Sequence, residues 1–528
     1  MLVNHFLEHS AQCLPDKTAL ICGDEQLTYS EIDWRANQVA WFLRNHGIER
    51  QDRVAIFLDS SIESVISLFG ILKADAIFLM LSPTLKAQKL RYILNNCQAK
   101  ALITHTNKLN VVSGIFGSVP SLKSFVFVGE KDRIPKIETP KLISWNEIDF
   151  LNPQSAIRNP QSNDASRLAP CENIDLDLAT IIYTSGSTGD PKGVMLTHLN
   201  MVSAATSITT YLKNEESDII IDMLPLSFDY GLYQVLMAFK FGGTVVLEKS
   251  FTYPYQIIQK MIQEKVTGFP GVPTIYAILL GLKDLDKFDF SNLRYITNTA
   301  AALPPTHIAR LRQIFPHARI YSMYGLTECK RVSYLPPEEI DRRPSSIGRG
   351  MPNEEVWVVD ESGKRVGPGV VGELVVRGSN VMRGYWGLPE ETARVLKPGK
   401  YPGEIILYTG DLFRADEEGY LYFVGRKDDM IKSKGERISP KEIEQCLCAL
   451  EGVAEAAIIG VPDEILGQAI KAFIRYHDGK NLSEKEVLKH CRYHLEDFMI
   501  PQSVTFLDSF PKTSSGKIDK LALKELKV

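Results

Sequence analysis

Cysteine is scarce in this chain of 528 residues, and its eight cysteines follow no recognisable pattern. The closest two, Cys446 and Cys448, are separated by a single residue, and no C-x-x-C pair occurs. Such a scattered pattern favours reduced thiols over a disulfide or zinc framework. The scattered cysteines are typical of reduced thiols, and we therefore predict a cytoplasmic protein.

Long apolar runs and an excess of charge of either sign are also missing. No apolar stretch approaches the roughly 20 residues that a membrane-spanning helix needs. The N-terminus lacks the basic start and apolar stretch of a secretory signal. A formal net charge of −4 gives no reason to expect a nucleic acid or an anionic membrane as a partner.

The chain does contain strand-like and helix-like segments in alternation. Residues 30–46 carry apolar side chains at helical spacing. Short apolar runs typical of buried strands lie at 53–58, 76–81 and 101–105. Such alternation with short connections predicts parallel sheets covered by helices.

The pattern changes near residue 425, where about 100 residues of mixed helical and strand character begin, a natural size for a small domain. We therefore predict an α/β protein in three parts. Residues 1–424 form a large N-terminal domain of several subdomains, with mixed or parallel sheets flanked by helices. Residues 425–428 form a hinge, and residues 429–528 form a small, mobile α+β C-terminal domain.

The strongest local motif runs from Asp177 to His198, DLATIIYTSGSTGDPKGVMLTH. An apolar strand leads into a loop rich in glycine and hydroxyl groups, and a helical pattern is predicted to follow directly. Glycines let backbone N–H groups converge on an anion, and a lysine adds positive charge. The residues that we expect to bind polyphosphate are Thr184, Ser185, Gly186, Ser187, Thr188, Gly189 and Lys192. A flexible connector is the alternative, which the density of these residues disfavours. No G-K-[ST] follows the glycines, so this is not the P-loop of NTPases.

This motif resembles the signature of the AMP-forming adenylating superfamily, which contains acyl-CoA synthetases, adenylation domains of nonribosomal peptide synthesis, and luciferases. Further matches follow in the family's order and span almost the whole chain. They are LTYSEIDWRANQVA at 27–40, LKADAIFLMLSP at 72–83, YGLTE at 324–328, GELVVRG at 372–378, YTGDL at 408–412, GRKDDMIKSKGERISPKEIE at 425–444 and PKTSSGKIDK at 511–520. Asp75 stands where the family usually has glycine, and we expect this difference to affect only local packing.

The resemblance implies that a carboxylate attacks the α-phosphate of ATP, with pyrophosphate released, and that the acyl group then passes to a thiol. Lys517 would bridge the carboxylate and the α-phosphate, and Glu328 would bind Mg²⁺. Thr184 would take part in catalysis. The alternative for Lys517 is an exposed lysine in a polar tail.

The resemblance also assigns residues to the rest of the nucleotide and to the thiol step. Tyr324 would stack on adenine, Thr327 would donate to the α-phosphate, and Gly325 lies in the same motif. Asp411 would accept from the ribose hydroxyls, although a plain turn residue is the alternative, and Arg426 would also reach the nucleotide. Asp428 would be the hinge, while Lys434 and Gly435 would approach the pantetheine arm.

Residues 224–233, LPLSFDYGLY, bear on the acid substrate. Phe228 and Asp229 resemble the segment of amino-acid adenylation domains in which the aspartate accepts hydrogen bonds from the substrate's ammonium. The alternative is that Asp229 caps the following helix. Alignment to those domains predicts a mostly apolar lining, with Lys330 and Arg331 nearby. The predicted lining residues are Tyr230, Tyr233, Pro270, Asn298, Met323 and Val332.

Two segments, SFDYGLYQ and YGLTECKRVSYLPPEEIDRRPSSIG, resemble those of stand-alone L-prolyl-[peptidyl-carrier protein] ligases of pyrrole- and anatoxin-type pathways. The resemblance implies L-proline as substrate, ATP and Mg²⁺ as cofactors, and the phosphopantetheine thiol of a separate carrier protein as acceptor. A fatty- or aryl-acyl-CoA ligase of the same fold is the alternative. A catalytically silent nucleotide-binding relative is disfavoured because the lysines, Glu328 and Asp411 are all present.

Overall fold

The computed structural model describes most of the chain. The described ranges are 1–135, 141–148, 171–184, 191–299, 303–427, 429–433, 436–463, 466–477, 480, 482–513 and 517–526.

Helices follow one another in chain order, with these bounds. They are α1 (His5–Cys13), α2 (Tyr29–Asn45), α3 (Ile62–Lys73), α4 (Ala87–Asn96), α5 (Leu109–Val112), α6 (His198–Leu212), α7 (Asp229–Phe241), α8 (Pro254–Gln263), α9 (Pro273–Leu280), α10 (Pro305–Ile314), α11 (Pro389–Val395), α12 (Pro440–Cys448), α13 (Glu484–His494) and α14 (Lys520–Glu525). Within the described ranges, no helix combines the length and apolar character needed to cross a membrane.

Strands alternate with these helices. They are β1 (Thr18–Cys22), β2 (Glu25–Thr28), β3 (Arg53–Phe57), β4 (Ile77–Met80), β5 (Ala101–His105), β6 (Ser124–Val128), β7 (Lys141–Ser144), β8 (Leu178–Thr184), β9 (Lys192–Thr197), β10 (Ile219–Asp222), β11 (Thr244–Leu247), β12 (Gly268–Gly271), β13 (Tyr295–Asn298), β14 (Arg319–Tyr324), β15 (Ser333–Tyr334), β16 (Arg349–Gly350), β17 (Glu354–Val359), β18 (Gly372–Gly378), β19 (Gly384–Tyr385), β20 (Leu396–Pro398), β21 (Ile405–Ala415), β22 (Leu421–Arg426), β23 (Ile431–Ser433), β24 (Glu436–Ile438), β25 (Val453–Asp463), β26 (Gly467–Tyr476) and β27 (Ser503–Phe506).

Two large, mostly parallel sheets build the N-terminal part. One has the order β19-β9-β8-β4-β3-β5-β6-β7, and the other β16-β15-β14-β13-β12-β10-β11-β1-β2. Successive side chains along β3 point to opposite faces of the first sheet, and both faces are buried. Val54 and Ile56 join the cluster that also contains α2, α3 and the second sheet, whereas Ala55 and Phe57 pack with α4. The predicted helix at 30–46 and the predicted strands at 53–58, 76–81 and 101–105 are confirmed as α2, β3, β4 and β5.

Two smaller sheets complete the fold. A mainly antiparallel sheet in the order β17-β18-β21-β20, with β22 beside β21, completes the N-terminal part. The C-terminal part has its own sheet, β24-β23-β26-β25, with β27 beside β26. One face of this sheet packs with α12 and α13, and the other with Phe510 and α14. The predicted class, a large α/β N-terminal domain and a small α+β C-terminal domain, is confirmed, while the boundary at 424 stays a prediction.

Asp75 joins segments that are far apart in the chain. Its carboxylate accepts from Arg44 Nη2 on α2 at 2.7 Å, and from Cys171 Sγ and the Glu172 N–H at 2.6 and 3.1 Å. The residue is buried and holds a left-handed backbone with φ of 61°. The departure from glycine therefore does more than adjust local packing, because it ties the chain entering β8 to α2.

We expect Asp75→Ala to lower the free energy of unfolding by about 2–3 kcal/mol, since it breaks a largely buried ion pair. Asp75→Gly should cost about 1 kcal/mol less, because glycine adopts the left-handed backbone without penalty. Urea unfolding measures both. The control, Glu25→Gln, removes the exposed ion pair to Arg35 and should change stability by less than about 0.5 kcal/mol. Equal stability of the alanine variant and the wild type would contradict the role of Asp75.

Candidate active site

The predicted phosphate loop is closed by two strands rather than by a strand and a helix. Strand β8 ends at Thr184 and the antiparallel β9 begins at Lys192, the two being register partners. The predicted strand–loop–helix is therefore wrong for residues 194–197, which pair with β8. Helix α6 begins only at His198, where Thr197 and Asn200 form a capping box. Ser185, Gly186, Ser187, Thr188 and Gly189 lie outside the described residues.

Lys192, at the end of this loop, forms an ion pair with Glu391, which the sequence did not predict. Its Nζ lies 2.6 Å from Glu391 Oε2 on α11 and 5.4 Å from the centroid of the Tyr385 ring. The Thr184 hydroxyl donates to the Lys192 carbonyl at 3.5 Å. Thr184 and Lys192 thus face each other across the mouth of the loop. Polyphosphate binding here would add to or replace the contact with Glu391.

A tight turn between β14 and β15 carries the second group of predicted residues. The Val332 N–H donates to the Tyr324 carbonyl at 2.9 Å and closes the loop. A Cβ on Gly325 would lie 2.2 Å from the Lys330 carbonyl oxygen, so this position requires glycine. Lys330 itself has a φ of 66°. Thr327 and Glu328 are half-buried on this loop.

Glu328 is held by a residue from a distant strand. The Tyr385 hydroxyl donates to Glu328 Oε1 at 2.8 Å, and β19, which carries Tyr385, pairs with β9. One tyrosine therefore contacts both Glu328 and the lysine of the phosphate loop. Tyr385 and Glu391 were not predicted from the sequence, since neither belongs to a motif with a recognisable chemical pattern.

Asp411 lies at the centre of a hydrogen-bonded group. The Tyr324 hydroxyl donates to Asp411 Oδ2 at 2.5 Å, and Arg426 Nε donates to Oδ1 at 3.0 Å. Burial raises the pKa of the Asp411 carboxyl, and the charge of Arg426 opposes this shift. Three residues that the sequence predicted for the nucleotide are thus brought together. The Tyr324 ring meets Phe413 edge-on, with centroids 4.9 Å apart.

Lys517 lies over the same cleft, although it comes from the C-terminal part of the chain. Crowding by protein atoms and the charge of Arg426 lower its pKa, while Asp229, Asp411 and Glu328 act in the opposite direction. Its side chain nevertheless retains access to solvent. The ammonium therefore interacts with the three carboxylates of the N-terminal site. Asp428, Lys434 and Gly435 lie outside the described residues, so their predicted roles stay predictions.

Asp229 begins helix α7 but does not cap it, because the N-cap is Phe228 and no side-chain capping bond forms. Its partner is Lys330, whose Nζ donates to the Asp229 carbonyl at 2.6 Å and lies 3.4 Å from Oδ2. The same Nζ stands 4.3 Å from the centroid of the Tyr233 ring. Burial lowers the pKa of Lys330 to about 7, and Asp229 opposes this shift.

The predicted lining of the acid pocket is divided by the sheet. Pro270 pairs with Thr297, whereas Asn298 pairs with Gly271 and Ser322. Because neighbouring residues on a strand point to opposite faces, Asn298 faces away from Pro270 and Met323. Tyr230 donates to the Thr297 carbonyl at 2.8 Å, so α7 covers the Thr297 face. The register thus places Asn298 on the opposite face of the sheet from Pro270 and Met323. Tyr230, Tyr233, Met323 and Val332 are all buried.

Two family patterns match most of the chain. The pattern of the AMP-binding enzyme family matches residues 7–386, and that of the AMP-binding enzyme C-terminal domain matches residues 442–517. The chain belongs to the AMP-binding enzyme family.

Relatives and solved structures agree with this assignment. A long-chain-fatty-acid–CoA ligase of Bacillus subtilis (strain 168) is 31% identical over 536 residues, covering 98% of this chain and 93% of the relative. Surfactin synthase subunit 2 of the same strain is 30% identical over 98% of this chain, which corresponds to 14% of that protein. The anthranilate CoA ligase AuaEII in complex with anthranoyl-AMP superposes with a TM-score of 0.87 at 29% identity, covering 99% of this chain and 96% of the other. ATP-bound MatB from Rhodopseudomonas palustris gives a TM-score of 0.84 at 27% identity over 99% of both chains.

This AMP-binding enzyme is thus an ATP-dependent, AMP-forming acid–thiol ligase that acts on a small-molecule acid. The predicted superfamily is confirmed. The narrower resemblance to prolyl ligases gains no support from these relatives.

The site fits a Mg²⁺ ion bound with the nucleotide. Glu328 uses one carboxylate oxygen for Tyr385, and its other oxygen suits a hard cation. Among the described residues, no three His, Cys, Asp or Glu side chains converge into a metal-binding group. Glu328 would therefore share the metal with phosphate oxygens.

We expect Asp411→Asn to raise the KM for ATP by about tenfold, because the variant loses a charge-assisted acceptor for the ribose hydroxyls. Tyr324→Phe keeps the ring and removes only the hydroxyl that orients Asp411, so its effect should be smaller. Initial rates of pyrophosphate release at varied ATP measure both. An unchanged KM for ATP with a raised KM for the acid would contradict a nucleotide role for Asp411.

Proposed function

We propose that this enzyme activates a compact carboxylic acid, such as an aromatic acid, as its acyl-adenylate and transfers the acyl group to coenzyme A. The observation that carries the proposal is the pair of buried tyrosines, Tyr230 and Tyr276, held against strands β12 and β13 next to Asp229. Relatives named as CoA ligases support coenzyme A as the acceptor.

Both tyrosines have satisfied hydroxyls. Tyr230 and Tyr276 both donate to the Thr297 carbonyl at 2.8 Å, and Tyr276 also donates to the Phe269 carbonyl at 3.1 Å. A Cβ on Gly271 would lie 2.6 Å from the Tyr276 ring, so the ring rests against the strand. Displacing these rings would leave buried polar groups without partners, which is costly. A long acyl chain would need that displacement, whereas a compact acid would not.

The side chains around the cleft divide the reaction between them. Lys517 would hold the acid's carboxylate against the α-phosphate, since an ammonium at this position can offset the charge of both anions. Thr184 and Lys192 would hold the outer phosphates, and Asp411 would position the ribose. Mg²⁺ bound at Glu328 would neutralise charge on the phosphates. Lys517 would have to leave the cleft before the thiol enters, and Asp428 is the predicted hinge for that movement.

We expect Lys517→Ala to slow adenylate formation by about 100-fold or more, because a positive charge that acts in the transition state is lost. Thioester formation from supplied adenylate should change by less than about threefold. The control is Lys512→Ala, which lies on the same segment as Lys517. It removes only an ion pair to Glu455 and should leave both steps unchanged. Equal losses in the two steps would contradict the role of Lys517.

The predicted prolyl-carrier-protein ligase remains a second candidate because of one observation. Burial and the charge of Arg426 lower the pKa of the Lys517 ammonium, and the Asp229 carboxylate lies near enough to oppose this shift. An α-amino acid with its carboxylate at Lys517 would therefore bring its ammonium close to Asp229. In this structure Lys330 occupies that partnership, so the amine would have to share the carboxylate or displace Lys330.

An acid panel in ATP–pyrophosphate exchange separates the two candidates. We expect exchange with compact aromatic acids and none with L-proline or long-chain fatty acids. Asp229→Asn should reduce exchange with an amino acid by about 100-fold if the carboxylate holds an ammonium, and should affect an amine-free acid much less. Exchange with proline alone, followed by transfer to a carrier protein but not to coenzyme A, would favour the second candidate and refute the first.

A further inference from the structure

Arg331 is the largest fully buried side chain of the described residues, with 2% of its surface exposed. Its guanidinium has no hydrogen bond or ion pair to any residue that the structure describes, and its Nε is a buried atom without a partner. The Tyr230 ring faces it, with Cζ 5.2 Å from the ring centroid. Burying an uncompensated charge is among the most costly arrangements in a protein.

The nearby acidic groups do not compensate this charge. Asp229 is engaged by Lys330. Burial holds the pKa of Asp222 well above its usual range, which favours the neutral carboxyl. Burial also raises the pKa of Tyr230 to about 12. Among the described residues, the guanidinium of Arg331 is therefore without an ionised carboxylate as partner.

Another buried arginine, Arg343, has carboxylate partners that compensate its charge. Arg343 is 7% exposed and lies over the Tyr420 ring at 4.0 Å. Its guanidinium forms ion pairs with Glu339, Asp416 and Glu418. Arg331 is also buried and also lies over a tyrosine ring, but it lacks these carboxylates, which points to a ligand as the missing partner.

The position of Arg331 relates it to the acid substrate. Lys517, the predicted contact of the reacting carboxylate, interacts with Asp229. Lys330 links Asp229 to the Tyr230 ring at 5.6 Å, and Arg331 lies against the same ring. The contacts thus lead from Lys517 through Asp229 and Lys330 to Arg331. With the reacting carboxylate at Lys517, the other end of the acid would lie near Arg331.

We propose that the acid carries a second carboxylate, which the guanidinium of Arg331 binds. This inference rests on the proposed function and specifies its substrate as a compact dicarboxylic acid. A planar guanidinium can donate two parallel hydrogen bonds to a carboxylate, which supplies both charge and orientation. Monocarboxylic acids of the same size would leave the buried charge unpaired.

Matched acids test the proposal in ATP–pyrophosphate exchange with the full-length enzyme. The pairs are isophthalate against benzoate and succinate against butanoate. We expect the wild type to prefer a dicarboxylate by about 100-fold or more in kcat/KM. Arg331→Met should remove this preference, and Arg331→Lys should retain part of it. The matched control Arg343→Met should leave the preference unchanged.

Thermal unfolding provides a readout that is independent of activity. Arg331→Met should melt at or above the wild-type temperature, because the cost of burying an unpaired charge disappears. Arg343→Met should melt lower, because it breaks a buried network. The preferred dicarboxylate should raise the melting temperature of the wild type but not of Arg331→Met.

The outcomes separate this inference from the proposed function. Exchange with none of the acids would refute the proposed function itself. Exchange with benzoate or butanoate at least as good as with their dicarboxylate partners would overturn only the second carboxylate. A lower melting temperature of Arg331→Met with equal losses for all acids would show that Arg331 is structural, and would also overturn it.

Discussion

The tight turn between β14 and β15 is the constraint on which the rest of the site depends. Gly325 lies so close to the Lys330 carbonyl that a Cβ would be 2.2 Å from it, and Lys330 adopts a φ of 66°. The turn therefore sends its charged side chains in different directions. Glu328 meets Tyr385, Lys330 meets Asp229, and Arg331 lies against Tyr230. One short loop thus faces both the nucleotide side and the acid side of the cleft.

Ion pairs between distant segments hold the remaining groups in position before any substrate binds. Lys192 is held by Glu391, and Asp411 by Arg426 and Tyr324. Such pairs contribute little net stability, because desolvation offsets much of the attraction. Their value here lies in preorganisation, since a group that is already oriented needs no rearrangement as charge develops. The same pairs also mean that each substrate must match or replace a partner already in place.

The family motifs predicted which residues would meet, but not what would hold them. Tyr324, Asp411 and Arg426 come together as predicted, because each belongs to a recognisable motif. Tyr385 and Glu391 escaped notice, since their importance arises only when β19 pairs with β9 and α11 follows. The misread segment at 194–197 has a related cause. Its apolar residues fit a helix and a strand equally well, and only pairing with β8 decides between them.

Substrate specificity could not be predicted from the identity of the pocket residues alone, because it also depends on their orientation and on their ion pairs. Alignment placed Asn298 beside Pro270 and Met323, yet the strand register turns it to the other face of the sheet. Alignment also presented Asp229 as a free carboxylate, whereas Lys330 Nζ lies 3.4 Å from its Oδ2. What an acid experiences is the charge left after the protein's own pairs have formed. Within the described residues the guanidinium of Arg331 is left without such a partner, which is why we propose that the far end of the acid, rather than its α-substituent, governs recognition.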